Sequence, residues 1–153
     1  MHASYGHHDI MRIVLAVNPE AEEPWVTDAV IDLARQTGAS AVAVAVDEVE
    51  LERLASTPRS LYTERAELAA SNAVQRLIDA GVDATGTVLP GRPVERIIEF
   101  ATAEKADLIV VGSSSKPAVA QKLLGSVPLT LIRRSERPVL VITHPHRERR
   151  NEA

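Results

Sequence analysis

Five short apolar runs, separated by segments with helical spacing, constrain the fold of this chain more than any other feature. The runs are Arg12–Val17, Ala41–Val46, Ala84–Leu89, Leu108–Val111 and Val139–Ile142. Near-continuous apolar runs of this length are typical of parallel strands that are covered on both faces. Their strict alternation with helices predicts a single doubly wound, Rossmann-like α/β domain with a five-stranded parallel sheet and four helices.

The segments between the runs carry helix start and stop signals. Pro24 suits the first turn of a first helix and Gly38 its end, and a second helix is expected from about Ser60 to Ala80. Pro93 begins a third helix, and Ser126 is expected to cap a fourth through its hydroxyl group. The helical spacing predicts these core positions: Val26, Ala29, Val30, Leu33, Ala70, Val74, Leu77, Ile78, Val94, Ile97, Ile98 and Ala101. The third strand is diluted by Thr85, Gly86 and Thr87, so we expect it near an edge of the sheet.

Composition excludes several classes of function. The chain contains no Cys, which excludes disulfides, thiolate zinc sites and a cysteine nucleophile. No apolar run approaches the roughly 18–20 residues that span a membrane. A net charge of −4 and an aromatic content of 3% disfavour binding to nucleic acid. We therefore expect a soluble, cytoplasmic protein that binds neither membrane nor nucleic acid.

The ends of the chain are polar, and catalytic candidates are few. We expect a disordered leader over residues 1–10, one domain over 11–143 and a charged, flexible tail over 144–153. All five histidines lie in the two ends: His2, His7, His8, His144 and His146. Asp47, at the end of the second strand, is a solvated strand terminus, a ribose contact or a general base. No catalytic residue and no metal site is assigned.

The loop after the fourth strand is the strongest candidate for a ligand site. It runs from Gly112 to Gly125, is rich in small residues and leads into the last helix. Ligands of such sheets bind beyond the carboxyl ends of the strands, where the strand order reverses. If the first and fourth strands flank that point, Asn18 and Gly112 face one crevice. Backbone amides around Ser113–Ser115 and near Ser126 would then hold phosphates. The alternative is that the loop is a simple turn.

Two well-known phosphate motifs are absent from the chain. The P-loop pattern would need a glycine-lysine pair after Gly112, and the first strand leads into Asn18-Pro19-Glu20 instead of the glycine-rich dinucleotide fingerprint.

Several sequence features together resemble the universal stress protein family over about residues 11–143. These are the opening strand IVLAV, the turn GRP at 91–93, ADLIVVGS at 106–113, and LLGSV followed by RPVLVI. ATP-binding members carry the pattern of Gly, two residues, Gly, nine residues and Gly-Ser or Gly-Thr. Gly112 and Gly125-Ser126 match its two ends. With this resemblance we predict the strand order 3-2-1-4-5.

The chain departs from the family pattern at two positions. Ser115 replaces the middle glycine, and Asn18 replaces the acid that usually follows the first strand. A side chain costs about 1 kcal/mol or more where a glycine adopts positive φ. Serine adds a hydroxyl group that can contact phosphate. Asparagine keeps the acceptor oxygen of aspartate but loses its charge.

The resemblance implies a ligand, a set of contacts and an assembly. Val46 and Val111 would line the base of an adenine nucleotide, with ATP, accompanied by Mg²⁺, the first choice. Gly112, Ser115, Gly125, Ser126 and Val127 would surround its ribose and phosphates, and Asn18 would contact the ribose or adenine. Lys116 and Lys122 either neutralise phosphate charge or form a solvated face.

The resemblance also implies a homodimer that acts in stress response by changing partners, paired through Val139–Ile142. The alternatives are a scaffold protein on the same fold that binds no nucleotide, which Asn18 and Ser115 favour, and a nucleotide hydrolase or transferase.

Overall fold

The computed structural model of the chain describes residues 10–48, 59–113 and 124–145. The strands are β1 (Arg12–Val17), β2 (Ser40–Asp47), β3 (Ala84–Pro90), β4 (Leu108–Gly112) and β5 (Val139–Ile142). The helices between them are α1 (Pro24–Thr37), α2 (Arg59–Asp79), α3 (Pro93–Ala103) and α4 (Ser126–Arg134). Each predicted strand and helix is present, with ends within one residue or so of the expected positions.

All five strands form one parallel sheet in the order β3-β2-β1-β4-β5. This confirms the predicted strand order and places β3 and β5 at the two edges. In the centre, Leu15 of β1 is level with Ala43 of β2 and Val110 of β4. The order reverses between β1 and β4, because chain connections run outward in opposite directions from this pair. The crevice of the fold therefore lies at the carboxyl ends of these two strands.

Helices cover both faces of the sheet. Side chains of successive strand residues point to opposite faces, so Ile13 and Leu15 of β1 pack under α1 and α2 while Val14 packs towards α3 and α4. Every residue of β4 is buried. Leu131 of α4 and Leu77 of α2 are fully buried on their respective faces. The continuous apolar runs of the sequence are explained by this double cover.

Helix α1 starts and stops as the sequence predicts. Pro24 occupies its first turn, and Gly38 ends it in the left-handed conformation with φ of 77°. The Gly38 amide donates to the carbonyl of Ala34 at 2.7 Å. Glycine adopts this conformation without a steric penalty, which explains the sharp stop.

Some of the helix residues that were predicted to be in the core are only partly buried or are exposed. In α1 the buried side chains are Val26, Thr27, Val30, Ile31 and Ala34, whereas Ala29 and Leu33 are only partly buried. In α2, Ile78 is 49% exposed, because the face on the sheet is built from Ala66, Ala70, Ala73 and Leu77. Ala70 and Leu77 are buried as predicted, whereas Ala66 and Ala73 were missed because hydrophobic size directed the prediction towards larger neighbours. In α3, Ile97 and Ala101 are buried as predicted.

The start of α4 corrects another prediction. Gly125, with φ of −64° and ψ of 167°, is the N-cap of the helix, and no side chain caps its first turn. Ser126 is already the first helical residue, so its hydroxyl group does not play the predicted capping role. In the described part of the chain, no helix has both the length and the apolar character needed to cross a membrane.

Candidate functional site

A cleft of about 280 Å³ opens at the carboxyl ends of β1, β2 and β4. Its described wall includes side chains from both strands of the reversal point, from α3 and from the start of α4. The sequence-predicted residues among them are Asn18, Val46, Val111, Gly125, Ser126 and Val127. The fold thus brings together six predicted residues from four separate segments of the chain.

The remaining predicted residues fall into two groups. Gly112 is the last residue of β4 and lies directly behind the side chain of Glu23. Ser115, Lys116 and Lys122 lie outside the described residues. The structure therefore carries no information on the middle position of the glycine pattern.

One wall of the cleft is apolar. Val44 and Val46 of β2, Val111 of β4 and Ile97 of α3 present aliphatic surface to it, and three of them are less than 5% exposed while Val46 is 6% exposed. Tyr62 of α2 adds a ring at the rim. A flat apolar group such as a purine base matches this kind of surface, because pockets for such groups are mostly apolar with a few placed polar atoms.

The opposite wall is the first turn of α4. The amides of Ser126 and Val127 have no acceptor inside the helix, as at any helix start, and Pro128 has no N–H. These amides and the positive end of the helix dipole favour an anion at this point. Among the described residues at this helix start, Gly125 to Pro128, the polar character comes from backbone amides and the Ser126 hydroxyl group and not from a charged side chain.

The amide of Ser113 does not serve as a phosphate donor, contrary to the prediction. It donates to the carbonyl of Ile142 at 2.9 Å, extending the β4–β5 ladder by one residue. The Ser113 carbonyl in turn accepts from the amide of Gly125 at 2.8 Å. These two bonds hold the start of α4 against the end of the sheet, so Ser113 has a structural role.

Asn18 organises the segment that follows β1. Its side-chain oxygen accepts from the amide of Glu20 at 2.9 Å, and its side chain also hydrogen-bonds the carboxyl group of Glu23. Burial raises the pKa of Glu23 above its ordinary value, and the bond from Asn18 opposes that rise. Asn18 therefore holds a partly buried carboxylate at the cleft.

Asp47 at the end of β2 is buried and not exposed to solvent as one of the predictions had it. It is only 4% exposed, and its carboxylate accepts from the hydroxyl group of Thr63 at 2.7 Å. Its backbone carbonyl accepts from the amide of Gly91 at 3.0 Å. The interpretation as a solvated strand terminus was wrong, because α2 covers the end of β2.

Glu23 and Tyr62 are among the residues of this cleft that sequence reasoning missed. In the sequence, Glu23 is one of several acidic residues before the helix that starts at Pro24. No sequence pattern indicates that its side chain contacts Gly112. Tyr62 lies in the first turns of a long helix, where a single ring gives no periodic signal. Only the packing of α1 and α2 on the sheet brings both to the cleft.

A second and larger cavity, of about 510 Å³, lies between α1 and α2. Its lining shares residues 16–20 and Glu23 with the first cleft but contains none of the other predicted site residues. Arg76 at its rim is already paired with Asp28, with a distance of 2.7 Å between Nε and Oδ1. We assign the functional site to the smaller cleft, because it lies at the reversal point and joins the apolar wall to the helix start.

The fold and the cleft define a doubly wound α/β protein with an open cleft at the reversal point of its sheet. The chain belongs to the universal stress protein family, whose model matches residues 10–143. This confirms the resemblance seen in the sequence.

Curated relatives share parts of the sequence. Universal stress protein MJ0531 of Methanocaldococcus jannaschii is 43% identical over 68 residues, which cover 44% of this chain and 40% of that protein. Universal stress protein MJ0577 of the same organism is 33% identical over 92 residues, covering 60% of this chain and 57% of that protein. The chain therefore matches about half the length of these relatives.

Solved structures share the fold. Hypothetical protein MJ0577 superposes with a TM-score of 0.74 at 24% identity, covering 90% of this chain and 99% of that one. A universal stress protein from Archaeoglobus fulgidus in complex with dAMP has a TM-score of 0.68 at 22% identity, covering 88% and 98%. A universal stress protein in complex with cAMP has a TM-score of 0.64 at 26% identity, covering 88% and 97%.

Proposed function

We propose that this protein binds an adenine nucleotide in the cleft at the ends of β1 and β4, as a regulatory protein of stress response. The observation that carries the proposal is the cleft itself, where an apolar wall meets the first amides of α4. An adenine ring fits the aliphatic wall of Val46 and Val111, and a phosphate fits the amides of Ser126 and Val127. The dAMP and cAMP complexes of similar proteins support adenine as the base.

ATP is the ligand that the glycine pattern of the sequence favours, and the proposal includes it alongside the monophosphates. A magnesium ion would enter bound to the phosphates, since within the described ranges no three acidic or histidine side chains are grouped to hold a metal. The cleft residues would position the nucleotide, and the ion would screen phosphate charge.

We propose a binding role and no catalytic one. His144 has the only imidazole among the described residues, and its ring lies 4.4 Å from that of Trp25, outside the cleft lining. Asp47 is engaged by Thr63. Multiple turnovers of ATP that disappear in an Asp47→Asn protein would contradict this view. The cytoplasmic location stays a prediction.

The test of nucleotide binding is thermal unfolding with Mg-ATP, AMP or cyclic AMP. A ligand at 100 times its dissociation constant adds about 2.7 kcal/mol of stability. We expect a raised midpoint with at least one nucleotide and no rise in Gly125→Val, whose side chain would enter the cleft at the helix start. Gly125 has negative φ, so valine does not strain the backbone there. Leu124→Val, at a neighbouring residue that does not line the cleft, is the control.

A scaffold protein without nucleotide is the second candidate. The specific observations behind it are that the Ser113 amide is already bonded and that Glu23 packs against Gly112. The unfolding experiment distinguishes the two candidates, because no midpoint shift with any nucleotide at millimolar concentration would leave only the scaffold role.

The proposal includes a homodimer paired through β5. This strand is at the edge of the sheet, and Leu140 on it is 39% exposed. Exposed apolar edge strands are normally covered or blunted in proteins. We expect Leu140→Lys to convert the dimer to a monomer in analytical ultracentrifugation, whereas Leu68→Lys, on α2 near the other edge, leaves it dimeric. A wild-type monomer at high concentration would refute the assembly.

A further inference from the structure

The carboxyl group of Glu23 packs directly against the backbone of Gly112. A Cβ atom added at Gly112 would lie 2.9 Å from each Glu23 carboxylate oxygen and 3.1 Å from Cδ. At these distances the added carbon atom would be too close to the carboxylate, so that the Glu23 side chain would have to move. Gly112 therefore leaves just enough room for an acid supplied by the chain itself, at the end of the strand that leads into the small-residue loop.

Two contacts fix this acid in place. Its backbone carbonyl accepts from the amide of Val26 at 3.0 Å in the first turn of α1, and its side chain bonds to that of Asn18. Glu23 also precedes Pro24, whose ring restricts the backbone. The carboxyl group is thus held between β1 and β4.

The rest of the described cleft wall has the same sign of charge. Glu20, Asp47 and Glu48 line it together with Glu23. No lysine or arginine is among its described lining residues, and Arg65, just outside the lining, lies 3.9 Å from a carboxylate oxygen of Glu20. The amides at the start of α4 are the favourable place for an anion on this wall. A ligand phosphate that approached Gly112 would meet the Glu23 carboxylate, and like charges at close range repel strongly where water is partly excluded.

We propose that Glu23 is a selectivity residue of the nucleotide cleft, favouring adenine nucleotides with a single phosphate over ATP. The inference rests on the proposed function and goes beyond it, because it names the charge class of the ligand. One phosphate can sit at the start of α4, where the amides of Ser126 and Val127 can donate to it. The approach to Gly112, which the glycine pattern reserves for a phosphate chain, is occupied by the Glu23 carboxylate.

The test compares the dissociation constants of AMP and ATP by isothermal titration calorimetry without divalent cations. The proteins are the wild type, Glu23→Gln and Glu22→Gln. Glutamine keeps the size and an acceptor for Asn18 but removes the charge. Glu22 is exposed and absent from the described lining of the cleft, so its substitution is a matched control for net charge.

We expect the wild type to bind AMP more tightly than ATP. In Glu23→Gln the ratio of the two constants should shift towards ATP by about tenfold, the effect of one like charge a few ångströms from a phosphate. In Glu22→Gln the ratio should stay as in the wild type. Circular dichroism of each variant verifies that it is folded.

Two different results would overturn the inference. If Glu23→Gln and the wild type bind both nucleotides with the same ratio, Glu23 does not set selectivity, while the nucleotide site stands. If none of the three folded proteins binds either nucleotide, the proposed function itself fails and the selectivity role fails with it.

Discussion

Adding one methyl group at Gly86 tests how closely α2 packs on the edge of the sheet. A Cβ atom at this position would lie 2.7 Å from Cγ2 of Val74, while its next contacts, the carbonyl oxygens of Ala43 and Ala70, are at an ordinary 3.6 and 3.7 Å. The conflict in Gly86→Ala is therefore with one methyl group of one side chain. Valine in a helix is restricted to essentially one rotamer, so Val74 cannot rotate away at low cost.

The expected magnitude follows from overpacking. Extra methyl groups in a packed interior typically cost about 1–3 kcal/mol. For a chain of this size, 1 kcal/mol lowers the unfolding midpoint by about 2–4 °C. We therefore expect Gly86→Ala to lower the midpoint by several degrees, although replacing glycine by alanine in an extended strand otherwise stabilises by about 0.4–1 kcal/mol through the unfolded chain.

A second substitution reverses the sign of the effect. Val74→Ala removes the methyl group that the new Cβ would meet, at a cost of about 1 kcal/mol for a partly buried site. In that background we expect Gly86→Ala to be neutral or stabilising, so that the double-mutant cycle gives a coupling energy of at least about 1 kcal/mol. Urea unfolding of the four proteins measures it. Additive effects of the two substitutions would refute the close packing of α2 on β3.

Three further predictions follow from single contacts. Because burial raises the pKa of Glu23, the folded protein holds this proton more tightly than the unfolded chain, so the stability from this group is present below its unfolded pKa and lost as pH rises through its folded pKa. Glu23→Gln should thus gain stability relative to the wild type as pH rises above the ordinary pKa of a glutamate, about 4.3, in urea unfolding, and a pH-independent difference would contradict the burial. Leu131→Ala should cost about 2–5 kcal/mol, since its side chain is fully buried under α4, and a loss below about 1 kcal/mol would show that the helix is loosely packed. Thr63→Val should cost about 1–3 kcal/mol by removing a donor to buried Asp47, and an unchanged unfolding free energy would show that the hydroxyl group is dispensable.

The sequence predicted the sheet better than the faces of the helices. Strands such as Leu108–Gly112 are buried on both sides, so composition alone identifies them without a decision about direction. A helix requires that decision, and in α2 the size of Ile78 was misleading. The burial of Ala66, Ala70 and Ala73 shows that α2 lies close to the sheet, where larger side chains would not fit. This closeness is the same feature that brings Val74 against Gly86.

The sequence predicted the parts of the cleft that are formed by strand ends and by a helix start. It did not predict the contacts between segments that are distant in the chain. Strand ends and a helix start are local features, so Asn18, Gly112 and Gly125 were identified from the sequence. The partner that Gly112 meets was not, because Glu23 reaches it only when α1 is folded over β1.

The asparagine at position 18 has a clear structural role once this contact is known. Asn18 bonds to Glu23, so a carboxylate from the start of α1 lies beside the end of β1 at the cleft. An aspartate at 18 would place a second negative charge beside Glu23 and would raise the cost of ionising both. The amide is therefore the side chain that lets Glu23 remain at Gly112.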